Sequence, residues 1–356
     1  MYIIGIMSGT SLDGIDMAYC EFTDSRHFHL IAAETYRYPA AWQERLASLH
    51  RASAEEYALA DVELGRLIGE KVKQFIENHP GRVDCIASHG HTVFHQPERG
   101  LTAQIGDANA IHAATGLPVV YDFRRLDVAL GGQGAPLVPI GDKLLFSQYD
   151  CCINLGGIAN ISYELNDQRI AYDICPCNMA FNHLAGRMGL TYDNGGQMAR
   201  EGEVQTSILA RLETLEYYRV PAPKTLGKEW FEQRFLPCLA PFDQQPTENL
   251  MRTVAEHISL RLADAIIHSG IEPHKVLVTG GGANNQFLLE LVKEKIGKTD
   301  IESIDNRIVD FKEAIIFALL AYLRIEGTNN TLASVTGAIH DSCGGSIIGK
   351  VKTEDL

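Results

Sequence analysis

Several stretches of this 356-residue chain gather residue types that do chemistry. Ser8-Gly9-Thr10-Ser11, followed by Asp13-Gly14, sits between two β-prone runs, Tyr2 to Met7 and Ile15 to Phe22. Glycine permits positive φ and close backbone approach, so successive N–H groups converge on an anion while the hydroxyls add donors. Such a tip suits a phosphate. It lacks the Gly-Lys-Ser/Thr of a Walker loop and is not a dinucleotide fingerprint; read alone, it is equally an ordinary hairpin turn.

Further polar clusters follow. Ser88-His89-Gly90-His91-Thr92 with His95 offers three imidazoles for a metal or for hydrogen bonds to a substrate, though no carboxylate stands nearby. Gln104-Ile-Gly106-Asp107 and Asp122-Phe-Arg124 each punctuate a strand, where α/β proteins place ligands. Asp107 is alternatively a helix cap, and Asp122 a loop-anchoring partner of Arg124. In the second half, Asn154-Leu-Gly156-Gly157-Ile-Ala-Asn160 repeats the polar glycine tip. Thr279-Gly280-Gly281-Gly282-Ala283-Asn284 lies between a strand and a helix, where a flat ligand such as an adenosine can rest on bare backbone.

The elements that must position these residues alternate in period. The first tip joins two strands of a hairpin, and His27 to Tyr38 adds a third. Trp42 to Leu49 and Ala54 to Asn78 are expected helices, the second with Leu64, Ile68, Val72 and Phe75 on one face. Val83 to Ala87 reads as a short strand, Ala108 to Thr115 as a helix and Leu117 to Tyr121 as a strand. Gly131 to Pro136 is the expected hinge or cleft floor, giving domains at 1–130 and 131–356, with the extreme C-terminus packing back on the first. Strand, tip, strand, strand recurs over Cys151 to Asp173, a duplication at half the chain length. Helices are expected at Met179 to Met188, Met198 to Leu215, Glu248 to Ser269, Gln286 to Lys295 and Glu313 to Ile325. The strand at His274 to Val278 precedes the third glycine run, and Ser334 to Ile348 is a short polar ending.

Composition narrows the classes. A net charge of -14 argues against broad nucleic-acid or anionic-membrane binding, which needs a basic surface. No apolar run reaches the length of a membrane span, and no signal peptide is evident. Eight cysteines without zinc-type spacing read as reduced thiols in a cytoplasm.

The order of these parts resembles the superfamily of sugar kinases, actin and the heat-shock chaperone ATPases, implying an α/β fold of two duplicated, ribonuclease H-like lobes of the actin-like ATPase type with an interlobe cleft. GIMSGTSLDGID, SHGHTVFH, QIGD, PVVYDFR, GGQGAPLVP, INLGGIANIS, GGGANN, KEAIIFALLA and SVTGA together resemble the anhydro-N-acetylmuramic acid kinase family across nearly the whole chain. The resemblance implies use of ATP and Mg²⁺ to open the 1,6-anhydro bond of an amino sugar and phosphorylate its O6, within cell-wall recycling. It implies Asp173 as the base that activates water. Gly9, Thr10, Ser11 and Asp13 would meet phosphates and Mg²⁺, Gly156 and Gly157 the phosphates from the other lobe, and Gly281, Gly282 and Asn284 the adenosine. Asp13 is the favoured metal-side carboxylate, because the first strand carries Ile6 and Met7 where many superfamily relatives have an aspartate. On the sugar side would stand His89, Gln104, Asp107, Asp122 and Arg124, with Asn178 and Glu313 in support.

Partners would be limited to the small sugar, with room for a homodimer. The family's DTGPGN run is Asp173-Ile-Cys-Pro-Cys-Asn178 here, so two glycines are Cys175 and Cys177, and its Thr is Ile174. Its Lys-Ser-Thr-Gly-Arg-Glu pattern is Lys224-Thr-Leu-Gly-Lys-Glu229. A kinase for a different sugar, or a nucleotide-gated interaction protein, are the alternatives.

Overall fold

A computed structural model describes residues 1–9, 12, 14–222, 224–270, 275–302 and 304–351. The chain divides into two units, Met1–Leu145 with Phe311–Leu356, and Phe146–Asp310.

The first unit opens with an antiparallel meander of β1 (Tyr2–Ser8), β2 (Gly14–Phe22) and β3 (Phe28–Arg37). Ile3, Ile4 and Ile6 of β1 are all fully buried, as expected of a strand covered on both faces. Ile4 and Ile6 join a core with Leu64, Ile68, Val72 and Phe75 of the Ala54–Asn78 helix, whose first turn is capped by Ser53 accepting from the Glu56 N–H. Next come β4 (Cys85–Gln96), β5 (Leu101–Ile105), the Ala108–Thr115 helix and β6 (Val119–Tyr121). β4 runs parallel to β1 and β6 and antiparallel to β5.

The sequence reading ends the fourth strand at Ala87, yet it continues through the histidines to Gln96. The added strand β5 pairs with the backbone of residues 91–96, which removes any need to turn, and a register shift between Thr92 and Phe94 lets the extension bend.

In the second unit the meander repeats as β7 (Cys151–Leu155), β8 (Ile158–Leu165) and β9 (Gln168–Pro176). After the helices Asn178–Gly186 and Thr247–Ile267, β10 (Lys275–Thr279) pairs parallel to β7, and β11 (Asp300–Glu302) parallel to β10. The single helix expected over Met198 to Leu215 is two, Gln197–Glu201 and Thr206–Glu213. Gly202 breaks it, lying so close to the Glu248 backbone that a Cβ would collide with the Glu248 carbonyl.

The chain then returns to the first unit. The Lys312–Ile325 helix packs on β1 at Gly5, where a Cβ would collide with the Ala314 carbonyl, and β12 (Ser346–Ile348) adds an antiparallel edge to β6. The expected hinge lies inside this unit instead. Gly134 N–H donates to Asp127 Oδ2 at 2.7 Å and Gln133 N–H to the Thr336 carbonyl at 2.8 Å, so the glycine passage is pinned. The division falls at Leu145/Phe146.

Strand order is β12-β6-β4-β1-β2-β3 in one sheet and β11-β10-β7-β8-β9 in the other. In both, a three-strand antiparallel meander is extended from its first strand by two parallel strands, to which the first sheet adds the antiparallel β5, paired with β4, and β12, paired with β6. This is the ribonuclease H-like order of actin-like ATPases, present twice. All eight cysteines are free, and all but Cys343 are buried. Among the described residues, no helix is long and apolar enough to cross a membrane.

Candidate functional site

In the first unit, a cavity of about 390 Å³ is lined by Met7, Ser8, Gly9, His89, Thr92, Arg124 and Glu313. Gly9 belongs to the first glycine tip; Thr10, Ser11 and Asp13 lie outside the described residues. Ser8 is buried just ahead of the tip, its Oγ 2.7 Å from the Tyr38 hydroxyl and 3.4 Å from His91 Nδ1. The two supports come from 30 and 83 residues along the chain, so no local sequence pattern marks them.

His89 has a defined tautomer. Arg124 Nε–H donates to His89 Nε2 at 2.9 Å, so the ring proton sits on Nδ1 and is given to the Gly90 carbonyl at 2.8 Å. Burial, and then the Arg124 charge, hold its pKa well below the ordinary histidine value, so the ring is neutral. Arg124 also donates to the Gly134 carbonyl at 2.8 Å, and its guanidinium lies 5.9 Å from the Phe317 ring centroid. Burial lowers its pKa to about 10, opposed by Glu313. Solvent reaches Glu313 through the cavity, yet the surrounding protein still pushes its carboxyl upward, against the pull of Arg124.

The other sugar-side candidates stand outside the lining. Gln104 donates to Thr102 Oγ1 at 2.9 Å and to Thr92 Oγ1 at 3.3 Å, touching the cavity only through Thr92. Asp107 caps the Ala108–Thr115 helix, accepting from Asn109 and Ala110 N–H at 2.5 and 3.1 Å. Asp122 pairs with Arg125 at 3.4 Å rather than with Arg124, because its φ of 59° turns the chain at the end of β6.

In the second unit, Asp173 lies within β9, at a register shift opposite Ala159/Asn160. It does not cap the following helix. Its N–H donates to the Lys224 carbonyl at 3.1 Å, its carbonyl accepts from the Tyr217 hydroxyl at 2.6 Å, and its Oδ2 accepts from the Leu226 N–H at 2.8 Å. Burial pushes the carboxyl pKa up, and the Leu226 N–H opposes this. Tyr217 and Leu226 carry no sequence signal for this task.

The DICPCN segment is tied to the second glycine tip. Gly156 O accepts from Asn178 N–H at 3.1 Å, and Gly157 O from Cys177 and Met179 N–H at 2.8 and 3.1 Å. Cys177 has φ of -124°, and neither it nor Cys175 has positive φ, so the backbone here does not require glycine. Asn178 Nδ2 donates to the Leu155 carbonyl at 2.9 Å. The third glycine run packs against the same atoms. A Cβ on Gly282 would lie 2.7 Å from Leu155 Cβ and 3.0 Å from Asn178 Oδ1, whereas one on Gly281 would meet only Asn178 Nδ2 at 3.7 Å. Gly281 and Gly157 thus keep open faces, and Asn284 completes the same turn before Asn285 caps the Gln286–Ile296 helix. Gly156, Gly157, Asn178, Gly281 and Gly282 are together in one unit.

Residues 1–350 match the family model described as anhydro-N-acetylmuramic acid kinase. The chain belongs to the anhydro-N-acetylmuramic acid kinase family. The relative of that name from Vibrio parahaemolyticus is 39% identical over 94% of this chain and 95% of its own length. Those from Pasteurella multocida and Sulfurimonas denitrificans are 37% and 33% identical, covering 95% and 97% of this chain and 94% and 99% of theirs. Among solved structures, component A of the Acidaminococcus fermentans (R)-2-hydroxyglutaryl-CoA dehydratase is similar over 92% of this chain and 99% of that one, at TM-score 0.49 and 12% identity. As a member of a kinase family, the chain is a phosphotransferase.

Proposed function

We propose that this anhydro-N-acetylmuramic acid kinase family member converts 1,6-anhydro-N-acetylmuramic acid, ATP and water into N-acetylmuramic acid 6-phosphate and ADP, with Mg²⁺ as the ion. The family match over residues 1–350 carries the reading.

Asp173 is assigned as general base. Its carboxylate takes a proton from the water that attacks C1; the C1–O6 bond breaks, and O6 takes the phosphoryl group. On the sugar side, Arg124 offers its remaining guanidinium N–H groups, with Glu313 facing it, while the neutral His89, both of whose ring nitrogens are engaged, holds Arg124 in position. Gln104, Asp107 and Asp122 support the sugar side by holding Thr92, a helix start and a strand end. Gly9, Thr10, Ser11, Gly156 and Gly157 are assigned to phosphates, and Gly281, Gly282 and Asn284 to adenosine. The open faces of Gly157 and Gly281 suit close approach of a nucleotide. Magnesium in such sites is held by one or two carboxylates together with phosphate oxygens, and Asp13 is the assigned carboxylate. Asp16 of the same unit accepts from the Thr35 hydroxyl at 2.6 Å, and its charge pushes the Glu313 carboxyl pKa upward. The ion would neutralise the charge of the transferred phosphoryl group. The free, buried thiols support a cytoplasmic location.

A panel of anhydro- and free sugars incubated with the purified protein, ATP and Mg²⁺ tests the assignment. The anhydro-amino sugar should give sugar 6-phosphate and ADP in equal amounts. Faster turnover of a different sugar would reassign the substrate, and nucleotide binding without turnover of any sugar would overturn the reading.

A further inference from the structure

We propose that Tyr217 and the segment from Lys224 to Leu226 form a positioning clamp for Asp173 that holds Oδ2 and leaves Oδ1 as the oxygen that takes the proton. This deepens, and rests on, the assignment of Asp173 as the base.

β9 is the edge strand of its sheet, so the backbone groups on its outer side need partners from elsewhere. At Asp173 three separate atoms are held: the N–H by the Lys224 carbonyl at 3.1 Å, the carbonyl by the Tyr217 hydroxyl at 2.6 Å, and Oδ2 by the Leu226 N–H at 2.8 Å. Main chain and carboxylate are therefore fixed together. Among the described residues, Oδ1 accepts no hydrogen bond.

The clamp is itself anchored. Lys224 Nζ donates to the Tyr217 carbonyl at 3.2 Å, and its ammonium lies over the rings of Tyr217 and Tyr172, 4.7 and 5.5 Å from their centroids. The Tyr217 ring packs on Trp230 at 5.4 Å. Its neighbour Tyr218 bonds through its hydroxyl to Nε2 of the fully buried His257 at 2.9 Å, and His257 Nδ1 meets Glu213 Oε1 at 2.5 Å. A side chain so braced keeps its hydroxyl in place.

A base must be ionised to accept a proton. Burial disfavours the anion at Asp173, and an N–H donated to Oδ2 favours it, so the clamp supports both orientation and ionisation. The titratable groups facing Asp173 are Tyr217 from the adjoining turn and Cys175 from its own strand, both kept neutral by burial. Glu213 and Arg261, from the two helices packed nearby, face Cys175, and Arg261 also faces the Lys224 ammonium.

Leu226→Pro deletes the N–H donor, whereas Leu226→Ala keeps it. Carboxyl ¹³C NMR, with Asp173→Asn to assign the signal, reads the clamp without any substrate. Asp173 should titrate about one pH unit higher in Leu226→Pro than in wild type, and as wild type in Leu226→Ala. If proline unfolds the chain, an ester in place of the amide at position 226 removes the same N–H without the ring. Tyr217→Phe should lower kcat about tenfold while leaving KM for ATP unchanged. An unchanged Asp173 titration in the proline or ester variant overturns the clamp, as does a Tyr217→Phe enzyme with wild-type kcat. Failure of the wild-type protein to phosphorylate any anhydro-sugar would instead sink the base assignment, with the titration still reporting on the clamp.

Discussion

Burial acts on Asp173 and His89 in opposite chemical directions. It pushes the aspartate toward its protonated form and holds the histidine in its neutral one. Asp173→Asn keeps the shape and removes the proposed proton acceptor, so kcat should fall about 10²- to 10⁴-fold with ATP affinity retained; isothermal titration beside a turnover assay checks both. For His89 the consequence concerns stability. The unfolded chain takes up its proton near the ordinary value of about 6.5, while the folded chain does so well below it. Between these values the unfolded state binds more protons, so stability is lost as pH falls through about 6.5 toward the folded pKa. His89→Gln removes this titration, and its melting temperature should drop less than that of wild type between about pH 7.5 and 5.5. Equal drops would contradict the buried, neutral ring. Asp173 itself was legible because its DICPCN run lines up with the family's DTGPGN run. Tyr217 was not, since a hydroxyl that reaches a main-chain carbonyl 44 residues away leaves no local spacing to read.

Among elements, the glycine tips are legible because positive φ, close approach and strand flanks all write themselves into composition. The two adjacent glycines of the third run nevertheless do different work. Gly282→Ala would force a Cβ to 2.7 Å from Leu155 Cβ and 2.9 Å from its carbonyl oxygen, so stability should fall by about 1–3 kcal/mol in denaturant melts. Gly281→Ala meets nothing closer than 3.7 Å and should alter stability by no more than about 0.5 kcal/mol while raising KM for ATP. A Gly281→Ala enzyme with normal KM would remove that residue from the adenosine assignment. The misread elements have tertiary causes. β4 continues past Ala87 because β5 pairs with it, and the helix expected over Met198 to Leu215 breaks because Gly202 meets the Glu248 backbone. Neither partner is near in sequence.

For the molecule as a whole, duplication is the feature that sequence and structure share most fully. Strand, tip, strand, strand predicts two related lobes that each open with a hairpin, and both sheets contain that antiparallel meander. The division between the units was less legible. The glycine passage at 131–136 looks like a linker, but Asp127 and Thr336 fasten it within the first unit, and Phe311 onward returns to that unit from far along the chain. In the proposed reaction one active enzyme both opens the anhydro bond with water and phosphorylates the freed O6. Turnover in H₂¹⁸O follows both steps at once, read by mass spectrometry of the sugar phosphate and its fragments. One ¹⁸O should appear at C1 and none in the phosphate, with one ADP formed per sugar 6-phosphate. Label in inorganic phosphate with the sugar left intact would contradict the proposed reaction.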